Sequence, residues 1–217
     1  MMLQEIVLLP FQQPAGHHVL EGAQHEMAQG YTKSLRGAGF TVGGKLHQTR
    51  VFADGFESGG LGAWSSNVND GGDLSASGQA ALQGGYGLKA LLDDNNAIYV
   101  QDDTPAAENL VVVEFRFAPN AIPMAGSNAY NILNGLNSGG TAVLLLEHSY
   151  ASGQYRLRAG LRTDGTTTNY TGYTNISDAP HLLRLEWQAA SGAGANDGSL
   201  ALYVDGALAG SLANQDN

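Results

Sequence analysis

The sequence predicts an all-β protein, a two-layer antiparallel β-sandwich, on three observations. From Val51 onward apolar residues recur with a period of two, the period at which successive strand side chains change face. Asp-Gly steps at 164–165 and 205–206, and Asn196-Asp197-Gly198, fall between those runs as hairpin and crossing-loop punctuation. No helical period interrupts them, and several short strands divided by turn signals indicate a sandwich or barrel.

Taken in order, Glu5 to Phe11 (EIVLLPF) is a short apolar run that reads as a strand. After His18 the pattern changes. Leu20, Ala23, Met27, Tyr31 and Leu35 recur at three- and four-residue steps, with Gly37 and Gly39 as stop signals, so an amphipathic helix of roughly 15 to 20 residues is expected. Gly22 and Gly30 oppose it, each costing about 1 kcal/mol relative to Ala. His17, Glu21 and His25 would share one face of that helix, a spacing able to present metal ligands. A solvated polar face is the simpler account, because the zincin spacing H-E-x-x-H is absent.

Beyond Val51 the strands are plainer. In Val111 to Phe117 (VVVEFRF), Val111, Val113, Phe115 and Phe117 face one way and Val112, Glu114 and Arg116 the other. Tyr155, Leu157, Ala159 and Leu161 alternate with Arg156, Arg158, Gly160 and Arg162. Leu183, Leu185 and Trp187 alternate with Arg184, Glu186 and Gln188, and Leu200, Leu202 and Val204 with Ala201, Tyr203 and Asp205. Ala142 to Leu146 (AVLLL) is nearly continuous, as in a strand covered on both faces. Roughly nine or ten strands are expected after Val51, one face of each apolar and the other polar. Residues 1–50 form a separate strand-helix segment preceding a sandwich over 51–217.

Composition narrows the function. The 217 residues carry 20 acidic against 10 basic side chains and no cysteine, which excludes disulfide frameworks, Cys-ligated metals and thiol catalysis. Residues 1–50 hold Lys33, Arg36, Lys45 and Arg50 against Glu5, Glu21 and Glu26, so the acidic excess lies entirely beyond them. A net charge of -10 argues against nucleic acid, whose binding rests on Lys and Arg displacing counterions. No apolar run reaches the roughly 18 residues needed to span a membrane. The start does not read as a secretory signal either: no Lys or Arg precedes the apolar stretch, Glu5 interrupts it and Pro10 ends it.

Two stretches carry a resemblance. Phe52 to Trp64 (FADGFESGGLGAW) resembles the opening strand of bacterial laminin-G-like jelly rolls of the concanavalin A-like lectin/glucanase superfamily. His181 to Leu208 (HLLRLEWQAASGAGANDGSLALYVDGAL) resembles their penultimate hairpin. The likeness covers roughly residues 52–214 and is specific mainly at its two ends. It implies a jelly roll, an extracellular or cell-surface setting, and a glycan or polysaccharide partner. In that family a further strand follows the hairpin and returns beside the first, and here the chain stops before it. An open edge at Val51 to Glu57 would invite pairing with another chain or segment; either Glu5 to Phe11 occupies it or the sequence is a fragment of a longer chain. The resemblance also implies a structural calcium near Asp54 and Glu57. Asp70, Asp73, Asp93, Asp94, Asp102 and Asp103 are alternative oxygen donors or ordinary turn residues.

Catalysis has weaker support. Superfamily members that hydrolyse β-glucans carry E-x-D-x-x-E on one strand, whereas the residues two positions beyond Glu57, Glu114, Glu147 and Glu186 are Gly59, Arg116, Ser149 and Gln188. A lyase would have to assemble Arg158, His148 and Tyr170 by folding. The expected function is therefore a noncatalytic carbohydrate-binding or adhesion module of a secreted bacterial protein. The alternatives are a polysaccharide-degrading enzyme and a structural interaction module. Candidate glycan contacts are Glu147, Arg158, Tyr170, Tyr173 and Glu186, whose charged and aromatic groups suit hydroxyl binding and ring stacking. An ion-pair lattice across neighbouring strands would use the same charges, at about 0 to 1 kcal/mol per exposed pair. Trp64 and Trp187 fall at apolar positions and are expected in the core.

Overall fold

A computed structural model describes residues 52–104, 107–124 and 128–217, together with the backbone of four strands in the first fifty residues. The structure is all-β, and the described residues contain no α-helix. The strands are β1 Glu5–Phe11, β2 Glu26–Gln29, β3 Phe40–Val42, β4 Lys45–His47, β5 Ser66–Val68, β6 Leu74–Ser77, β7 Gly87–Leu91, β8 Ile98–Asp102 and β9 Leu110–Phe117. They continue with β10 Ala129–Leu136, β11 Ala142–Ala151, β12 Gln154–Arg162, β13 Thr168–Tyr170, β14 Thr174–Ile176, β15 His181–Gln188, β16 Gly198–Val204 and β17 Ala207–Gln215.

An eight-stranded sheet runs β13-β12-β11-β10-β1-β8-β5, with β14 also paired to β12; a four-stranded sheet runs β17-β16-β15-β9. Smaller sheets join β2-β7-β6 and β3-β4. Every pairing is antiparallel. The alternating residues explain why the two larger sheets face one another. Val113, Phe115, Leu183, Leu185, Trp187 and Leu202 from the four-stranded sheet share a buried cluster with Ile132, Leu144, Leu146, Leu157, Ala159 and Leu161 from the eight-stranded sheet. Each buried Val, Leu, Ile or Phe among them contributes roughly 1.5 to 3 kcal/mol by leaving water, which fixes register, because a one-residue slip would turn the whole set outward. The arrangement is compatible with a β-sandwich, and both tryptophans lie within it, Trp64 at 5% and Trp187 at 0% exposure.

Three expectations are corrected. Within the stretch expected to be helical, Glu26–Gln29 is a strand paired to Leu88–Leu91 of β7; the remainder, with His17, Glu21 and His25, lies outside the described residues. Long-range backbone pairing overrides a periodicity already weakened by two glycines. Phe52 to Gly55 carries no strand and a turn follows at Phe56, so the open edge expected over Val51 to Glu57 is not formed by residues 52–57. Glu5–Phe11 pairs instead with β10 and β8, inside the large sheet. Ala207–Gln215 is the second arm of the hairpin expected at Asp205-Gly206, and lies at the rim of the four-stranded sheet.

Candidate functional site

The turn between β11 and β12 sets the site. Ser152 (φ 52°) and Gly153 (φ 78°) both sit in the left-handed region, forming the two-residue hairpin whose twist matches its strands. Ala151 therefore faces Gln154, and counting back places Glu147 opposite Arg158 and Ser149 opposite Arg156. Leu144, Leu146 and His148 point into the core with Leu157, Ala159 and Leu161. By alternation, Glu147, Ser149, Arg156, Arg158, Gly160 and Arg162 lie on the outer face.

There the groups bond to one another. Arg158 donates from Nε and Nη2 to the two Glu147 carboxylate oxygens at 2.8 and 3.0 Å, the side-by-side geometry in which guanidinium and carboxylate bind most strongly. The Tyr173 hydroxyl donates to the same Glu147 Oε1. The Arg158 guanidinium lies 3.9 Å from the Tyr170 ring centre and 4.5 Å from that of Tyr173. Arg156 sits 3.9 Å from the Tyr173 ring centre and donates from Nε to Ser149 Oγ at 2.8 Å. Tyr170 lies across Gly160, where an added Cβ would be 2.7 Å from its ring, so a side chain there would displace the tyrosine. Four expected contacts, Glu147, Arg158, Tyr170 and Tyr173, are thus brought together.

Electrostatics keep the two phenols and the Arg158 guanidinium protonated. Burial pushes the Tyr173 phenol above its ordinary value, and its hydrogen bond to Glu147 adds to that. Tyr170 is raised by burial and then by the Glu147 charge. For Arg158 burial opposes the charged form, but the bond and charge of Glu147 outweigh it and the pKa rises. Both phenols stay protonated and the guanidinium stays charged through neutral pH.

Glu186 is elsewhere. It projects from β15 in the four-stranded sheet, where its Oε1 accepts from Arg184 Nη2 at 2.5 Å, and Glu114 on β9 lies opposite Arg184 in that same sheet. The triad Arg158, His148 and Tyr170 does not assemble, because His148 is fully buried on the core side of β11, against Phe117 and Tyr155. Arg156 and Arg162 belong to the face around Arg158, and parity along residues 155–162 is the signal that finds them. Asn134 joins the same face opposite Leu145, 5% exposed and with Oδ1 unpartnered; a bulge between Asn131 and Leu133 hides it from simple alternation.

Asp54 and Glu57 serve as hydrogen-bond acceptors for nearby chain. Asp54 Oδ1 accepts from the Phe56 amide at 3.0 Å and Oδ2 from Trp64 Nε1 at 2.8 Å, holding Trp64 stacked on Phe56 at 5.8 Å. Both Glu57 oxygens accept from the Gly85 amide at 3.1 Å, and Gly84 beside them has φ 79°, the left-handed region that favours glycine. Among the alternative donors, Asp73 has its pKa raised by burial and then by Asp93, Asp70 and Asp94. Asp102 accepts from Thr104, and Asp103 accepts from Gln101 while its amide donates to Ser65. No group of three or more His, Cys, Asp or Glu able to hold a metal occurs among the described residues.

Fold and site together define an antiparallel all-β protein with a cross-linked arginine, tyrosine and carboxylate cluster on the outer face of its largest sheet. Compared with protein-family models, curated proteins and solved structures, the chain finds no match.

Proposed function

We propose that the protein is a noncatalytic carbohydrate-binding or adhesion module, a jelly roll of the laminin-G-like kind from a secreted or cell-surface bacterial protein. We place its glycan contacts on the outer face of the eight-stranded sheet around Arg158. The observation that carries this is the joining of Glu147, Arg158, Tyr170 and Tyr173 in one patch. A sugar offers hydroxyls that both donate and accept, so its receptor needs guanidinium donors, oxygen acceptors and flat apolar surface side by side. Here each side chain is held by another, so binding would immobilise little that is free, and that preorganisation lowers the entropic cost of association. Tyr173 is 37% exposed, leaving part of the stack open to a ligand.

Two features favour binding over turnover. Glycoside hydrolysis uses two carboxylates about 5 to 9 Å apart, and Glu147, the carboxylate bonded into this patch, already has both oxygens committed to Arg158. His148, the ring a lyase could use as a base, lies behind the sheet. The structural calcium implied by the resemblance stays part of this reading, at Asp54 and Glu57. A cation at Asp54 or Glu57 would share oxygens that already accept from Phe56, Trp64 and Gly85.

A glycan array followed by titration calorimetry tests the proposal. The wild type is expected to retain a glycan unchanged, and Arg158→Ala, which removes both the stack and the Glu147 counter-charge, to weaken it by about tenfold or more. Release of reducing ends or unsaturated sugars would instead establish the enzyme, and association of the protein without affinity for any glycan would establish an interaction module.

A further inference from the structure

The charges on the same face define the ligand further, on the footing of the carbohydrate proposal above. Six basic side chains follow residue 51: Lys89, Arg116, Arg156, Arg158, Arg162 and Arg184. Three of them stand on the outer face of a single strand, β12, in a chain whose net charge is -10. Arg158 is neutralised by Glu147. Arg156 bonds only a neutral hydroxyl and a phenol ring, so its charge and terminal nitrogens are unmatched among the described residues. Arg162 has no ion pair or side-chain hydrogen bond among them at all. The strand therefore presents two uncompensated cations on either side of a compensated one, about 20 Å apart along the backbone at roughly 3.3 Å per residue.

We infer that the ligand is an anionic glycan, a polymer whose sugars carry carboxylate or sulfate groups, and that Arg156 and Arg162 select it. The paired centre of the face supplies hydroxyl contacts and stacking. The unpaired ends supply charge, and two separated cations require an extended polyanion rather than a single charged sugar. Guanidinium suits the task because its fork matches planar carboxylate and sulfate oxygens. An acidic protein also repels polyanions elsewhere on its surface, so a local positive stripe fixes where the polymer docks.

The test uses the full chain and four probes: polygalacturonate, its fully methyl-esterified form, chondroitin sulfate, and polyphosphate. The expected result is that polygalacturonate or chondroitin sulfate binds at least about tenfold more tightly than the esterified polymer, with affinity falling as salt rises. Arg156→Gln and Arg162→Gln together should remove that preference, while Arg162→Lys retains part of it. Both changes are at partly exposed positions, and an unchanged near-ultraviolet circular dichroism spectrum would show the fold intact. Binding of the esterified polymer as tightly as the free acid, unaffected by the double substitution, would overturn charge selection and leave carbohydrate binding standing. Binding of polyphosphate as strongly as of either acidic glycan would overturn it too, exposing a surface that reads charge without sugar. Retention of none of the four would refute the anionic ligand, and the glycan array above then decides carbohydrate binding separately.

Discussion

His148 is an imidazole held where it can only be neutral. It stacks on Tyr155 at 5.5 Å and meets the edge of Phe117 at 5.1 Å, and neither ring nitrogen has a hydrogen-bond partner. Burial pushes its pKa from 6.5 to about 3. The unfolded chain therefore binds a proton between those values that the folded chain refuses, so stability is full above pH 6.5 and falls as pH drops toward 3. Between pH 7 and pH 5 the loss from this residue is about 2 kcal/mol. Urea unfolding of the wild type and His148→Leu at both pH values should show it as a difference in acid sensitivity, the leucine variant losing less. Trp187 is a related case, fully buried with Nε1 unpartnered, whereas Trp64 has its indole nitrogen satisfied by Asp54. Core position was legible from alternation for Trp187, which lies in β15; Trp64 and its carboxylate partner both come from an irregular segment with no period.

Among the elements, the hairpins explain what sequence could and could not reveal. Asp205 (φ 51°) and Gly206 (φ 81°) form the expected two-residue turn joining Val204 to Ala207. Replacing Gly206 by Ala puts a Cβ into the left-handed region and should cost about 1 to 2 kcal/mol in chemical unfolding. Asp164-Gly165 is different: neither residue has positive φ, Thr166 takes it at 69°, and the loop closes from Thr163 to Thr167. The same dipeptide therefore marks a turn without specifying its type. Ser152-Gly153 carried more information than either, since a two-residue turn there already places Glu147 across from Arg158. Long alternating strands were readable, but Ser66–Val68, Thr168–Tyr170 and Thr174–Ile176 are three residues each, too short to show a period. Glu186 was separated from the cluster by sheet membership, which depends on pairing between distant strands and leaves no trace in the alternation of β15.

At the scale of the whole molecule, an edge of the four-stranded sheet is covered by chain from the eight-stranded one. The rim of β17 is tied down by chain arriving from the other sheet: Thr174 Oγ1 donates to the Ala209 carbonyl at 3.0 Å and Asn169 Nδ2 to Gln215 Oε1 at 2.6 Å. Gly210 permits the approach, since a Cβ there would lie 2.9 Å from Thr171. In the eight-stranded sheet β1 lies between β10 and β8. Removing residues 1–11 would leave both neighbours with unsatisfied ladders in the middle of the sheet. The truncated chain is expected to lose its cooperative thermal transition or to aggregate on expression, measured by calorimetry and by the soluble fraction. A truncated protein that melts like the full chain would show that β1 contributes nothing to the sheet. That central placement also bears on how the molecule acquires its shape. Glu5 pairs with Leu136 and Ile6 with Asp102, so ring closure over a long stretch of polymer precedes any reward from those ladders. Such non-local wiring slows the search to milliseconds or seconds, typical of sandwiches, and keeps sticky half-built ribbons in solution meanwhile, so dilute, cool refolding should recover more protein than concentrated refolding.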